Sequence, residues 1–129
     1  MKKVLAFGTF DHLHPGHEYF LTEAKKLGDH LTVIVARDAT VTQVKGRLPR
    51  QTETERLAAI QNLSYVNKAR LGNQGDKFQV ITEEAPDIIA LGYDQSAFVD
   101  ELNSKFKQTI PIVRLDSFFP EKYKSSKMM

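Results

Sequence analysis

Short apolar runs alternate along this chain with stretches of helical periodicity, and the first junction between them carries two histidines around a glycine. Val4-Leu5-Ala6-Phe7-Gly8 reads as a buried strand that stops at glycine. Pro15, Tyr19, Phe20, Ala24 and Leu27 then recur at helical spacing, and Gly28 is expected to close that helix. Between strand and helix stands Gly8-Thr9-Phe10-Asp11-His12-Leu13-His14-Pro15-Gly16-His17. A buried strand that feeds a helix through a glycine-bearing turn is the opening unit of a parallel sheet.

The rest of the chain repeats that unit. Leu31 to Ala36 is a second strand pattern, and Asp38 to Lys45 is a short helix or loop ending at Gly46. Thr52-Glu53-Thr54-Glu55 has capping-box spacing and predicts a helix from Thr52 to Asn62. Lys68 to Leu71 is a weaker strand pattern, and Phe78 to Glu84 reads as helical, stopped before Pro86. Ile88 to Gly92 is a strand, Ala97 to Phe106 a helix, and Ile110 to Leu115 the last strand. The expected fold is therefore α/β: a single Rossmann-like, doubly wound parallel sheet of about five strands with helices on both faces. No repeat or linker divides it, so residues 1–129 are expected to form one domain. Ligands of such sheets bind beyond the carboxyl ends of the strands. Gly8 to His17, Arg37-Asp38, Gly92 to Gln95 and the segment after Leu115 should therefore converge on one rim.

Composition removes several classes of function. The chain has no cysteine, which excludes disulfides, thiolate zinc sites and a cysteine nucleophile. No apolar run approaches membrane-spanning length, and Lys2-Lys3 precede too short an apolar run for a secretory signal, so a cytoplasmic protein is expected. The net charge of +2 is dispersed, which argues against a duplex nucleic-acid partner but allows a local basic pocket for a small anion.

At the rim, a helix N-terminus offers unpaired N–H groups and a positive dipole end, and so attracts phosphate. Gly16 lets the main chain approach a ligand closely, and Pro15 suits a first turn where its missing N–H costs nothing. His14 and His17 are three residues apart, so both rings can face one side and donate to a phosphate. Two plainer readings compete: a helix start with two surface histidines, and a metal site built from His12, His14 and His17.

Gly8-Thr9-Phe10-Asp11 leading into His14-Pro15-Gly16-His17 resembles the first signature of the cytidylyltransferase-like nucleotidyltransferases, and Lys124-Ser125-Ser126-Lys127-Met128 resembles their second. The likeness covers nearly the whole chain. Val35-Ala36-Arg37-Asp38, Val44-Lys45-Gly46-Arg47 and Leu91-Gly92-Tyr93-Asp94-Gln95 are most similar to archaeal-type FAD synthetases (FMN adenylyltransferases). Glycerol-3-phosphate cytidylyltransferases come second. Ser64 before Tyr65-Val66, and Phe119-Pro120-Glu121-Lys122-Tyr123 ahead of the last motif, depart from that second pattern.

The resemblance implies transfer of a nucleoside monophosphate from ATP or CTP, with Mg2+, to a phosphorylated small acceptor, releasing pyrophosphate. ATP with FMN is the leading pair, and a homodimer is implied too. A non-catalytic nucleotide-binding module is the rival class. The resemblance implies roles as well. His14, His17 and Lys45 act on the α- and β-phosphates. Thr9, Phe10 and Gly16 seat the triphosphate, Asp94 and Gln95 meet base and ribose, and Ser125, Ser126 and Lys127 hold the β- and γ-phosphates. Asp11, Asp38 and Arg56 are expected on the acceptor side or at a divalent ion. Plainer roles stand beside these. Lys45 can be a solvated loop lysine, Asp38 a helix cap, Arg56 a partner of Glu53 or Thr52, Asp94 a turn residue, and Ser125-Ser126 a frayed tail.

Overall fold

A computed structural model describes residues 2–73, 78–92, 99–106 and 109–115. Along the chain it contains β1 (Lys3–Gly8), α1 (Pro15–Lys25), β2 (His30–Val35), α2 (Asp38–Lys45), α3 (Glu53–Gln61), β3 (Lys68–Leu71), α4 (Gln79–Glu84), β4 (Ile88–Leu91), α5 (Val99–Phe106) and β5 (Ile112–Arg114). The strands form one sheet in the order β3-β2-β1-β4-β5, and every pairing is parallel. The chain moves outward from β1 to β3 and then returns to the other side of β1. The strand order therefore reverses between β1 and β4, which in sheets of this kind marks the ligand crevice beyond the carboxyl ends. The expected α/β architecture is present.

The central strands are buried on both faces, as their continuous apolar sequences require. Val4, Ala6, Leu31, Val33, Val35 and Ala90 pack against Leu21 and Ala24 of α1 and Ile60 of α3. Leu5, Ile34, Ile89 and Leu91 point the opposite way, onto Val80 and Ile81 of α4 and Leu102 of α5. Each such buried Val, Leu or Ile side chain contributes roughly 1.5–3 kcal/mol.

Local chemistry sets the helix ends. Thr52 and Glu55 make both bonds of the expected capping box, with the Glu55 N–H donating to Thr52 Oγ1 at 3.1 Å and the Thr52 N–H to Glu55 Oε1 at 2.9 Å. Gly46 ends α2 in the left-handed region, at φ 77°. Gly28 departs from its expected role. The helix stops at Lys25 and turns follow. Position 28 is glycine because a side chain there would collide with the Lys2 carbonyl and Val4 at the start of β1.

Candidate active site

The loop between β1 and α1 is strained and tightly packed. Phe10 and His12 both take left-handed backbone angles, at φ 55° and 56°, a conformation that costs a non-glycine residue of order 1–3 kcal/mol and clusters at functional sites. Packing holds it in place. The Phe10 ring is buried and lies against Gly8 so closely that a Cβ on Gly8 would strike it. The edge of this pair meets His17, whose ring centroid lies 5.5 Å from that of Phe10 at 81°.

His14 and His17 are helix caps as well as candidate phosphate ligands. His14 is the N-cap of α1, and its Nδ1 accepts from the Gly16 N–H at 3.0 Å. His17 Nδ1 accepts from the His14 N–H at 3.3 Å. The rings stack with centroids 3.7 Å apart and planes 21° apart. An Nδ1 that accepts forces the proton of a neutral imidazole onto Nε2. The plain helix-start reading and the catalytic reading thus describe the same bonds: capping is what makes each ring an Nε2–H donor. Among the described residues, no group of three His, Cys, Asp or Glu is arranged to hold a metal ion. With both Nδ1 atoms taken by caps, the cluster of His12, His14 and His17 gains no support as a metal site.

Behind the loop lies a fully buried arginine. The Arg56 guanidinium donates to the carbonyls of Thr9 (2.9 Å), Ala36 (2.7 Å) and Gln51 (3.1 Å) and to Asp38 Oδ1 (2.7 Å). Its side-chain partner is Asp38, on α2, not Glu53 or Thr52 of its own helix. Asp38 is the first residue of α2 rather than its cap, and its own N–H donates to Glu53 Oε1 at 2.8 Å. Asp11 accepts from the N–H groups of Arg50 (2.8 Å) and Gln51 (2.9 Å), and the His12 N–H donates to Gln51 Oε1 at 2.9 Å. Burial pushes the Asp11 carboxyl up, but those two N–H groups and the charges of His12 and Arg56 outweigh it and hold it below the usual range. Polar atoms of Asp11, Asp38 and Arg56 are thus engaged inside the protein, tying the ends of β1 and β2 to the segment before α3.

That segment forms one wall of an open cleft of about 290 Å³. Thr9, Asp11 and His14 line it from the β1–α1 side, and Val41, Lys45, Arg47, Leu48 and Arg50 from the other. Lys45, exposed on the last turn of α2, does reach the same cleft as His14. Arg47, Leu48 and Arg50 were not among the candidates read from sequence. The only available signal was a Gly-Arg-Leu-Pro-Arg link directly after Lys45. Gly92 follows β4 and accepts from Arg114 at 2.8 Å. Asp94, Gln95, Ser125, Ser126 and Lys127 lie outside the described residues, as do residues 97 and 98 at the start of the expected helix.

A strand–loop–helix with paired imidazoles beside a basic cleft invites comparison with known proteins. The model of the family described as cytidylyltransferase-like matches residues 5–128. The chain belongs to the cytidylyltransferase-like family. A relative from Thermoplasma volcanium named FAD synthase is 46% identical over 121 residues, covering 92% of this chain and 84% of the relative. One from Methanosarcina mazei with the same name is 55% identical over 96 residues, covering 74% and 62%. A crystal structure of a Thermoplasma volcanium protein titled a lipopolysaccharide core biosynthesis protein superposes with a TM-score of 0.83 at 46% identity, covering 92% of this chain and 98% of that one. The family's fold therefore extends over the described sheet and helices of this chain.

Proposed function

We propose that this protein is a nucleotidyltransferase that transfers AMP from ATP to FMN, forming FAD and releasing pyrophosphate. Likeness to FAD synthases over most of the chain supplies the substrates. The observation that carries the chemistry is the stacked His14–His17 pair, 3.7 Å apart, with Nδ1 of each ring committed to the helix cap.

A phosphomonoester with a second pKa of about 6 is already largely a dianion near neutral pH, so FMN needs no activating base. One of its oxygens attacks the α-phosphorus of ATP. A new P–O bond forms, the bond to the bridging oxygen of the β-phosphate breaks, and pyrophosphate leaves with that electron pair. Charge grows on the α-phosphoryl oxygens and on the bridge. Nε2–H groups of His14 and His17 are set to donate to those oxygens, and positioning with electrostatic stabilisation supplies the rate. Gly16 lets the main chain approach the triphosphate closely, Thr9 and Phe10 seat it, and Lys45 closes on the α-phosphate. Asp94 and Gln95 meet base and ribose, and Ser125, Ser126 and Lys127 grip the β- and γ-phosphates. Asp11, Asp38 and Arg56 serve the acceptor side through the loops they hold.

Mg2+ enters with the triphosphate. Asp11 and Asp38 already accept bonds from N–H groups, so phosphate oxygens and water fit it best as ligands. In this reading the chain works as one domain over residues 1–129, as a homodimer in the cytoplasm, and the family likeness supports the dimer. No helix among the described residues is long and apolar enough to cross a membrane. Light scattering that returned a monomer mass would remove the dimer.

The decisive assay follows pyrophosphate and FAD together, with ATP or CTP offered against FMN, glycerol 3-phosphate and a sugar phosphate. ATP with FMN is expected to give equal amounts of both products. Pyrophosphate released with another acceptor, and none with FMN, would overturn the assignment.

A further inference from the structure

We infer that the cleft between the β1–α1 loop and the 47–50 link is the acceptor subsite, in which Leu48 shelves the isoalloxazine ring of FMN while Arg50 pairs with its phosphate. This rests on the FAD synthase reading above and adds to it the residues that select a flavin.

Topology divides the rim in two. The crevice at the reversal between β1 and β4 is the nucleotide side of such a sheet. The cleft lies on the other flank of β1, over β2, because its far wall comes from α2 and the link that follows it. An acceptor lodged there meets the nucleotide's α-phosphate from the side opposite the crevice, which an in-line displacement requires.

Chemistry then selects the occupant. Beside Lys45, which closes on the α-phosphate, two further cations, Arg47 and Arg50, line this wall against a single carboxylate, Asp11, which already accepts two N–H bonds. The cleft therefore suits a dianionic phosphate. Leu48 stands between the two arginines and is 69% exposed, and Val44 is 43% exposed; these are the exposed large apolar side chains among the described residues. A bare leucine amid cations at a cleft mouth gains nothing from a polyol or sugar phosphate. It gains from a flat aromatic ring, on which guanidinium groups also stack. The volume, about 290 Å³, lies at the lower end of small-molecule sites and is open at the mouth. The shelf is also held in register with the imidazoles. Asp11 fixes the main chain at Arg50 and Gln51, and the His12 N–H bonds the Gln51 side chain, two residues before His14.

Flavin fluorescence offers a readout independent of turnover. Leu48→Ser is expected to weaken binding of both FMN and riboflavin about tenfold, and to raise KM for FMN while leaving KM for ATP in place. Arg50→Gln is expected to weaken FMN about tenfold and riboflavin, which lacks the phosphate, by less than twofold. Unchanged FMN affinity in Leu48→Ser would overturn the shelf, and equal losses of FMN and riboflavin in Arg50→Gln would overturn the phosphate contact. If Leu48→Ser alters the mass in solution but not FMN affinity, the leucine belongs to an interface between copies and the proposal fails. Wild-type protein that makes no FAD from ATP and FMN would instead sink the reading beneath it. Wild-type activity with an indifferent Leu48 sinks only this inference.

Discussion

Arg56 and Glu84 are both charged and both buried, yet they are satisfied in opposite ways. Arg56 donates to three main-chain carbonyls and one carboxylate, and its side chain is fully out of water. Those carbonyls belong to the ends of β1 and β2 and to the link before α3, so one guanidinium sets the relative position of three rim segments. Glu84, on α4, is held by side chains alone: Lys3 at 3.1 Å, Lys68 at 2.9 Å and Arg70 at 3.1 Å. Lys3 and Lys68 open β1 and β3, toward the amino ends of the strands, away from the rim. A buried charge anchored on main chain fixes where loops stand. A buried charge capped by flexible side chains only fastens a helix to its sheet.

The largest test of that contrast is Arg56→Ala. It leaves the carbonyls of Thr9 and Ala36 and the Asp38 carboxylate without their donor. A loss of roughly 3–5 kcal/mol in denaturant unfolding is expected, with FAD formation falling even where the variant remains folded. Full activity in a destabilised but folded Arg56→Ala would break the comparison. His17→Ala separates chemistry from scaffold: turnover should drop by about 3 kcal/mol of transition-state stabilisation, measured as kcat, while cooperative unfolding persists. Glu84→Gln should reverse that pattern, with lower stability and unaltered kcat.

Glu84 also carries a pH signature. Burial raises its carboxyl, but hydrogen bonds from Lys68, Arg70 and Lys3 outweigh that and bring it down to about 2 from an ordinary 4.5. Its folded pKa lies below its unfolded one, so its contribution is fully present above about pH 4.5 and is lost as pH falls toward 2. That contribution is about 3 kcal/mol, and acid titration of unfolding should show this limb in wild type and lack it in Glu84→Gln. The smallest effect belongs to Asp11→Asn, which weakens the clasp on Arg50 and Gln51: a stability loss of about 1 kcal/mol and a severalfold rise in KM for FMN. An unchanged KM would detach the clasp from the acceptor side.

Strand runs such as Leu31 to Ala36, the Thr52–Glu55 box and the His14–His17 spacing were legible because each depends on neighbours in sequence. The parallel sheet with helices on both faces followed from alternation, while the strand order β3-β2-β1-β4-β5 did not. What sequence did not reveal depends on distant partners. Arg56 stands four residues before buried Ile60, on the inward stripe of α3, yet the Thr9 and Ala36 carbonyls that accept from it come from other elements. Gly28 looked like a helix stop because local pattern cannot see the Lys2 carbonyl pressed against it. Leu48 was silent for the same reason: an apolar residue in a short link is informative only once its exposure at a cleft is known.

The contact of Phe10 with Gly8 has a consequence for anyone who reshapes this enzyme. A larger residue at position 8 would evict the aromatic ring, and with it the wall on which His17 leans. Directed-evolution libraries should therefore mutate positions 8 and 10 as a linked pair, since variation at either alone would discard catalysts before any new acceptor was sampled.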